Sequence, residues 1–165
     1  MRNYFETWEL VPWEIWTKLG ENARNLVSGR LIHAMNLLRA QLGKTMTCNT
    51  RGPGGRDQSG LRVVGQSHYR PTSQHAGNHA HSLDGNRSTA SDTIGDWNPK
   101  ELHAMILKDR KKYEMIKFIE IDIGWLHIDV RDKPDIVVWS PKRGSVPVAD
   151  YIAELKREGF WGTDG

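Results

Sequence analysis

The chain has 165 residues, 38% of them hydrophobic and 26% charged. That length and balance exclude a disordered chain and fit one domain with a core of its own. The formal charge is only +3. Outside residues 108–112 the Lys and Arg residues are scattered, which excludes the clustered footprint of a nucleic-acid binder.

Cys48 is the single cysteine. It can form no intramolecular disulfide and no cysteine-based zinc cluster, and it reads as an inert buried thiol in an apolar run. The first twenty residues are acidic and Trp-rich. They lack the basic start and long apolar run of a signal peptide, and no stretch approaches the ~20 apolar residues of a membrane span. The expectation is synthesis in a cytoplasm without a signal peptide, no membrane span, and a monomer.

In chain order, residues 1–43 read as a helical wrap. Trp8, Trp13 and Trp16 with Phe5 and Leu10 predict a segment packed over the core. Leu31, Met35, Leu38 and Leu42 recur at helical spacing, so a helix is predicted over 30–42 with Gly43 ending it. His33 and Arg39 fall off that face and read as solvated. Residues 44–140 form the expected catalytic core. Within it, 44–49 and 61–64 read as short strands, and the Gly-rich stretch 50–60 as a loop. Residues 65–89 hold almost nothing that could build a core. A loop this long is usually functional or disordered, and its histidines argue for function.

Asn98, Pro99 and Glu101 form an N-cap signature that opens a second helix over 98–112, with Leu102, Met105 and Ile106 as its buried stripe. Residues 114–131 read as two adjacent strands. In the first, Met115, Ile119, Ile121 and Ile123 share one face; Ile116, Phe118, Glu120 and Asp122 share the other. In the second, Leu126, Ile128 and Val130 point one way. Trp125, His127, Asp129 and Arg131 point the other, which looks like the floor of a site. Residues 136–139 add a third strand. A closing helix is predicted over 147–158, with Val148, Ile152 and Leu155 on one side. No repeat and no βαβ rhythm is present, so the fold class is α+β: a small antiparallel sheet with flanking helices.

The polar loop offers His75, His79 and His81, and Asp92 follows a run of small residues. His127 lies in an otherwise apolar strand. One His, one Asp and a distant His make a mononuclear zinc site with room for a water. From residue types alone each loop histidine reads more readily as a surface or hydrogen-bonding side chain than as a ligand.

Four stretches sharpen this: Ser59-Gly60-Leu61-Arg62, then Tyr69-Arg70-Pro71-Thr72-Ser73-Gln74-His75, then Ala90-Ser91-Asp92, and Trp125-Leu126-His127-Ile128-Asp129-Val130-Arg131. In order and flanks they resemble the M15 zinc peptidases, the D-Ala-D-Ala carboxypeptidase and L-Ala-D-Glu endopeptidase group that includes phage endolysins. The resemblance spans residues 59–131. It implies a hedgehog/DD-peptidase-like fold, one Zn2+ per chain, and hydrolysis of peptidoglycan stem peptides by a phage or prophage protein. The site of action would then be the cell wall, reached after release or as part of a virion. A mildly positive chain suits that anionic polymer.

The implied metal ligands are His75, Asp92 and His127. The step from His75 to Asp92 exceeds the family's spacing, which implies an insertion at 76–89 and leaves His81 as an alternative first ligand. Arg62 is the implied stabiliser of charge on the substrate. Some members carry a glutamate three residues before the last ligand, where this chain has Gly124. Asp129, two residues beyond His127 on the same face, is the favoured general base, with Glu120 its rival. Asp129 could instead pair with Arg131 or support His127. The alternative function is a non-catalytic wall-binding or virion module on the same fold.

Overall fold

A computed structural model describes residues 3–76 and 87–162 of the chain. Its helices are α1 (Thr7–Leu10), α2 (Trp13–Leu19), α3 (Gly29–Leu42), α4 (Pro99–Lys108) and α5 (Val148–Arg157), with 3-10 turns at Gly20–Leu26 and Gln74–Ala76. The strands are β1 (Ala90–Thr93), β2 (Phe118–Glu120), β3 (Leu126–Asp129), β4 (Val137–Ser140) and β5 (Gly144–Val146). They form one sheet in the order β1-β3-β2-β4-β5. No helix among the described residues is long and apolar enough to cross a membrane.

The fold is α+β, but the sheet is mixed rather than antiparallel. β3 pairs antiparallel with both β1 and β2, which occupies both its edges. β4 must therefore join on the far side of β2, and there it runs parallel to β2. β5 closes the sheet antiparallel to β4. Neither β1 nor β5 is signalled by apolar alternation. Residues 44–49 and 61–64 are not strands. Met46 and Cys48 are buried as a strand pattern requires, but Thr47 makes only one bridge, to Ile94. In the second stretch Leu61 N–H donates to Leu10 O and Arg62 N–H to His75 O, two different partners that cannot form a ladder.

The helices follow their local chemistry. Asn98 caps α4 by accepting from Lys100 N–H at 3.0 Å, and the Glu101 carboxylate accepts from Asn98 N–H. This helix ends at Lys108, short of the expected 112. Gly43 ends α3 in the left-handed region, with φ 67°. Arg39 is not a solvated residue of α3. It donates to Tyr4 O at 2.6 Å and lies 5.0 Å from the Phe5 ring centroid, pinning the N-terminal segment to the helix. Trp8, Trp13 and Trp16 are only half-buried; Phe5, Leu10 and Val11 are the residues of that segment that enter the core.

One cluster of buried apolar residues runs from Phe5 through Leu31, Met35 and Leu38 to Ile119, Ile128, Val138 and Leu155. Each fully buried Leu or Ile contributes about 1.5–3 kcal/mol. The sheet gives this cluster one face. The opposite face carries Asp92, His127 and Glu120, and that division positions the site.

α5 packs on α4 and β4. Across the α4–α5 contact, His103 Nδ1 lies 2.7 Å from Tyr151 Oη, with the rings edge to face. Both side chains are buried. Burial, with some help from Lys100, pushes His103 down to about 3. The folded pKa lies below the unfolded value of about 6.5, so the native state favours the neutral ring. This stability is complete above about pH 6.5 and is lost as pH falls toward 3, at up to about 1.4 kcal/mol per pH unit. Denaturant unfolding between pH 7 and 4 should show this slope in the wild type and a shallower one in His103→Gln.

Candidate metal centre

The sheet register builds most of the site. Asp92 on β1 stands opposite His127 on β3, His127 opposite Glu120 on β2, and Glu120 beside Trp139 on β4. Directly paired residues share a face with Cβ atoms about 5 Å apart, so these side chains form a row across four strands. His127 Nδ1 lies 2.7 Å from Asp92 Oδ1.

His75 joins the row from outside the sheet, on the Gln74–Ala76 turn. Thr89 N–H donates to Gln74 O, and Arg62 N–H to His75 O. Its Nδ1 lies 2.7 Å from Gly60 O. A carbonyl only accepts, so Nδ1 carries the proton and Nε2 the lone pair. That Nε2 is buried, has no hydrogen-bond partner among the described residues, and sits 3.5 Å from Asp92 Oδ2. Two acceptors facing each other in a buried space share nothing but a cation.

One donor atom from each of His75, Asp92 and His127 lies within 4.8 Å of the other two, and all three residues are buried. The set is close enough to hold a metal ion, and its two imidazoles and one carboxylate are ligands of the kind that leave a coordination position open. Burial holds His75 below its ordinary pKa despite the pull of Asp92, so it is neutral and ready to ligate. Burial opposes ionisation of Asp92, but the neighbouring His127 and His75 rings outweigh that and hold it far below the usual carboxylate range. Burial also works against charge on His127; the carboxylates of Asp129 and Asp92 outweigh it and raise this ring to about 9.

These three residues lie at a cavity of about 600 Å³, which Glu120, Arg62 and Trp125 also line. Burial raises the pKa of Glu120, and Asp92 adds to this against the opposing pull of His127 and Arg62. Arg62 donates from Nη2 to Asp92 Oδ2 at 2.8 Å and from Nε to Gln58 O at 2.7 Å. It therefore steadies Asp92 as well as facing the cavity.

Asp129, the favoured base on sequence grounds, is withdrawn from that cavity. It is 0% exposed, and Arg131 holds it through Nε at 2.8 and 3.0 Å and through Nη2. Of the two base candidates, the one that meets the cavity is Glu120, because the antiparallel pairing carries it to the level of His127; Asp57 and Asp92 line the cavity as well. His79 and His81 lie outside the described residues.

Arg56, in the Gly-rich loop, and His68, in the polar loop, also line the cavity and carry no sequence signal that singles them out. The role of Gly60 was hidden too. A Cβ there would lie 2.1 Å from Leu10 O and 2.7 Å from Leu10 C, backbone atoms that cannot swing aside. Only glycine lets this segment pass Leu10 and present its carbonyl to His75. Gly60→Ala should lower stability by about 1–3 kcal/mol, the scale of an overpacked core. It should also weaken divalent-metal binding, as read by denaturant unfolding and competition with a chelating dye. Unchanged values of both would mean that the Leu10 backbone yields.

Comparison of the chain with protein-family models, with curated proteins and with solved structures finds no match.

Proposed function

We propose that the protein is a zinc-dependent peptidase that hydrolyses amide bonds in bacterial peptidoglycan stem peptides, encoded by a phage or prophage. The observation that carries this reading is the convergence of His75 Nε2, Asp92 and His127 on one buried point beside a cavity lined by Glu120 and Arg62. The M15-like order of residues 59–62, 69–75, 90–92 and 125–131 supports peptide hydrolysis, and the substrate class rests on that resemblance.

His75, Asp92 and His127 would hold the ion; a zinc bound there supplies Lewis-acid polarisation of the carbonyl and lowers the pKa of a water to about 7. Glu120 takes the proton from the attacking water and hands it to the leaving amine. The rise that burial gives its pKa makes it a stronger base than a free glutamate. Arg62 places a positive charge on the cavity wall, which favours the negative charge that grows on the substrate oxygen. Trp125, 37% exposed at the cavity, offers an aromatic face to an apolar part of the peptide.

Gly124, where some M15 members carry a glutamate, favours the second reading, a wall-binding or virion module without turnover. Digestion of purified wall, with muropeptides followed by mass spectrometry, separates the two. The peptidase releases new amino termini and stops on chelation. Glu120→Gln should keep its zinc and lose activity by about a hundredfold or more, the scale of a lost general base. Zinc uptake with no new termini would establish the non-catalytic module.

The raised pKa of His127 sets the pH dependence of metal binding. At pH 7, well below about 9, the metal-free ring carries a proton that zinc must displace. His75 and Asp92 have none to give up. Calorimetry in buffers of different ionisation enthalpy should find about one proton released per zinc at pH 7. Affinity should fall about tenfold for each pH unit below 9.

A further inference from the structure

We propose that Asp129, Arg131 and Phe118 form a positioning unit that fixes the ring of His127 with Nδ1 toward the metal; this rests on the reading of His127 as a ligand. With Nδ1 facing Asp92, the other ring nitrogen points away from the cavity. There His127 Nε2 meets Asp129 Oδ2 at 3.8 Å, an ion-pair approach rather than a hydrogen bond. Asp129 has no freedom to leave. Its Oδ1 accepts from Arg131 N–H at 3.1 Å and from Arg131 Nε at 2.8 Å, and its Oδ2 accepts from Nε at 3.0 Å and from Nη2.

Arg131 is fixed in turn. Its guanidinium carbon lies 3.8 Å from the centroid of the Phe118 ring, and that ring meets His127 edge to face, with centroids 5.7 Å apart and planes at 85°. The four side chains close a loop: His127 to Asp129, Asp129 to Arg131, Arg131 to Phe118, Phe118 back to His127. The sheet sets this geometry, because Phe118 stands opposite Asp129 in the row behind the one that holds Glu120 and His127.

The unit has a chemical consequence. A carboxylate behind a ligating imidazole selects the tautomer that keeps its proton on the far nitrogen, and it strengthens the near nitrogen as a donor. Arg131 sets the strength of this effect by sharing the charge of Asp129. The planar guanidinium both forks onto the carboxylate and lies on an aromatic ring, which a lysine cannot do.

Zinc affinity of the purified protein, measured by competition with a chromophoric chelator, tests the proposal without recourse to catalysis. Asp129→Asn should weaken binding by about 10- to 100-fold, the usual effect of losing such a partner. Arg131→Met should also weaken it, with Arg131→Lys between Arg131→Met and wild type. In nitrogen-15 NMR of the zinc-loaded wild type, His127 should keep a protected Nε2–H resonance, and Asp129→Asn should lose that protection. If Asp129 merely neutralises a buried arginine, Asp129→Asn lowers the unfolding midpoint while zinc affinity and the Nε2–H resonance stay at wild-type values; that result overturns the proposal. Should Asp129→Asn fail to fold, the same comparison with Arg131→Lys decides, since a change of affinity in the folded variant supports the unit and no change rejects it. A wild type that binds no zinc would instead overturn the reading of the ligand set.

Discussion

In an antiparallel sheet a slip of one residue turns every side chain to the other face. The register that sets Asp92 against His127 and His127 against Glu120 is therefore the constraint on which the rest depends. It puts two of the three candidate metal donors and a cavity carboxylate into one row. It puts Ala90, Asp129, Phe118 and Val137 into the row behind. The aliphatic face restrains that register: Ile119, Leu126, Ile128 and Val138 are all buried in the common core, and a one-residue slip would turn them outward. The hydrophobic effect thus aligns the polar chemistry on the far side.

Burying that much charge has a cost, and the structure meets it by pairing. Asp92 has Arg62 and His127, Asp129 has Arg131, and each contact involves a side chain at least partly sheltered from water. Removing one partner from a buried pair costs more than the pair itself contributes, because the remaining charge stays uncompensated. His75 differs from these residues. Its lone pair faces Asp92 with no proton between them. That unpartnered lone pair beside a carboxylate is where a cation could fit.

Much of the site was legible in the sequence, and the reason is local. His127 stands out because a period-two pattern places an imidazole among aliphatic neighbours, and that pattern needs no tertiary knowledge. His75 and Asp92 are marked by motif order, not by periodicity, since the groups that hold their segments in place, Gly60 against His75 and Gln74 against Thr89, are each 15 residues away in sequence. The balance between Asp129 and Glu120 was not legible. Sharing a face with His127 made Asp129 the natural base, but spacing along a strand does not say which residue is roofed by Arg131 and which meets the cavity. The parallel β2–β4 pair was hidden for a similar reason: strand direction follows from which edges are already taken. β1 was hidden because its buried Ser91 and Thr93 look like loop residues when read singly.

The outer edge of β1 has one more consequence. A terminal strand normally offers unpaired N–H and C=O groups that can recruit another chain. Here that edge is taken: Asp92 N–H donates to Ser59 O, Ile94 and Thr47 exchange both of their backbone bonds, and Thr89 N–H donates to Gln74 O. The segments that shape the cavity and carry His75 therefore also serve as a guard against sheet-to-sheet aggregation. The same few backbone bonds thus cover the sheet edge and hold the segments around the cavity.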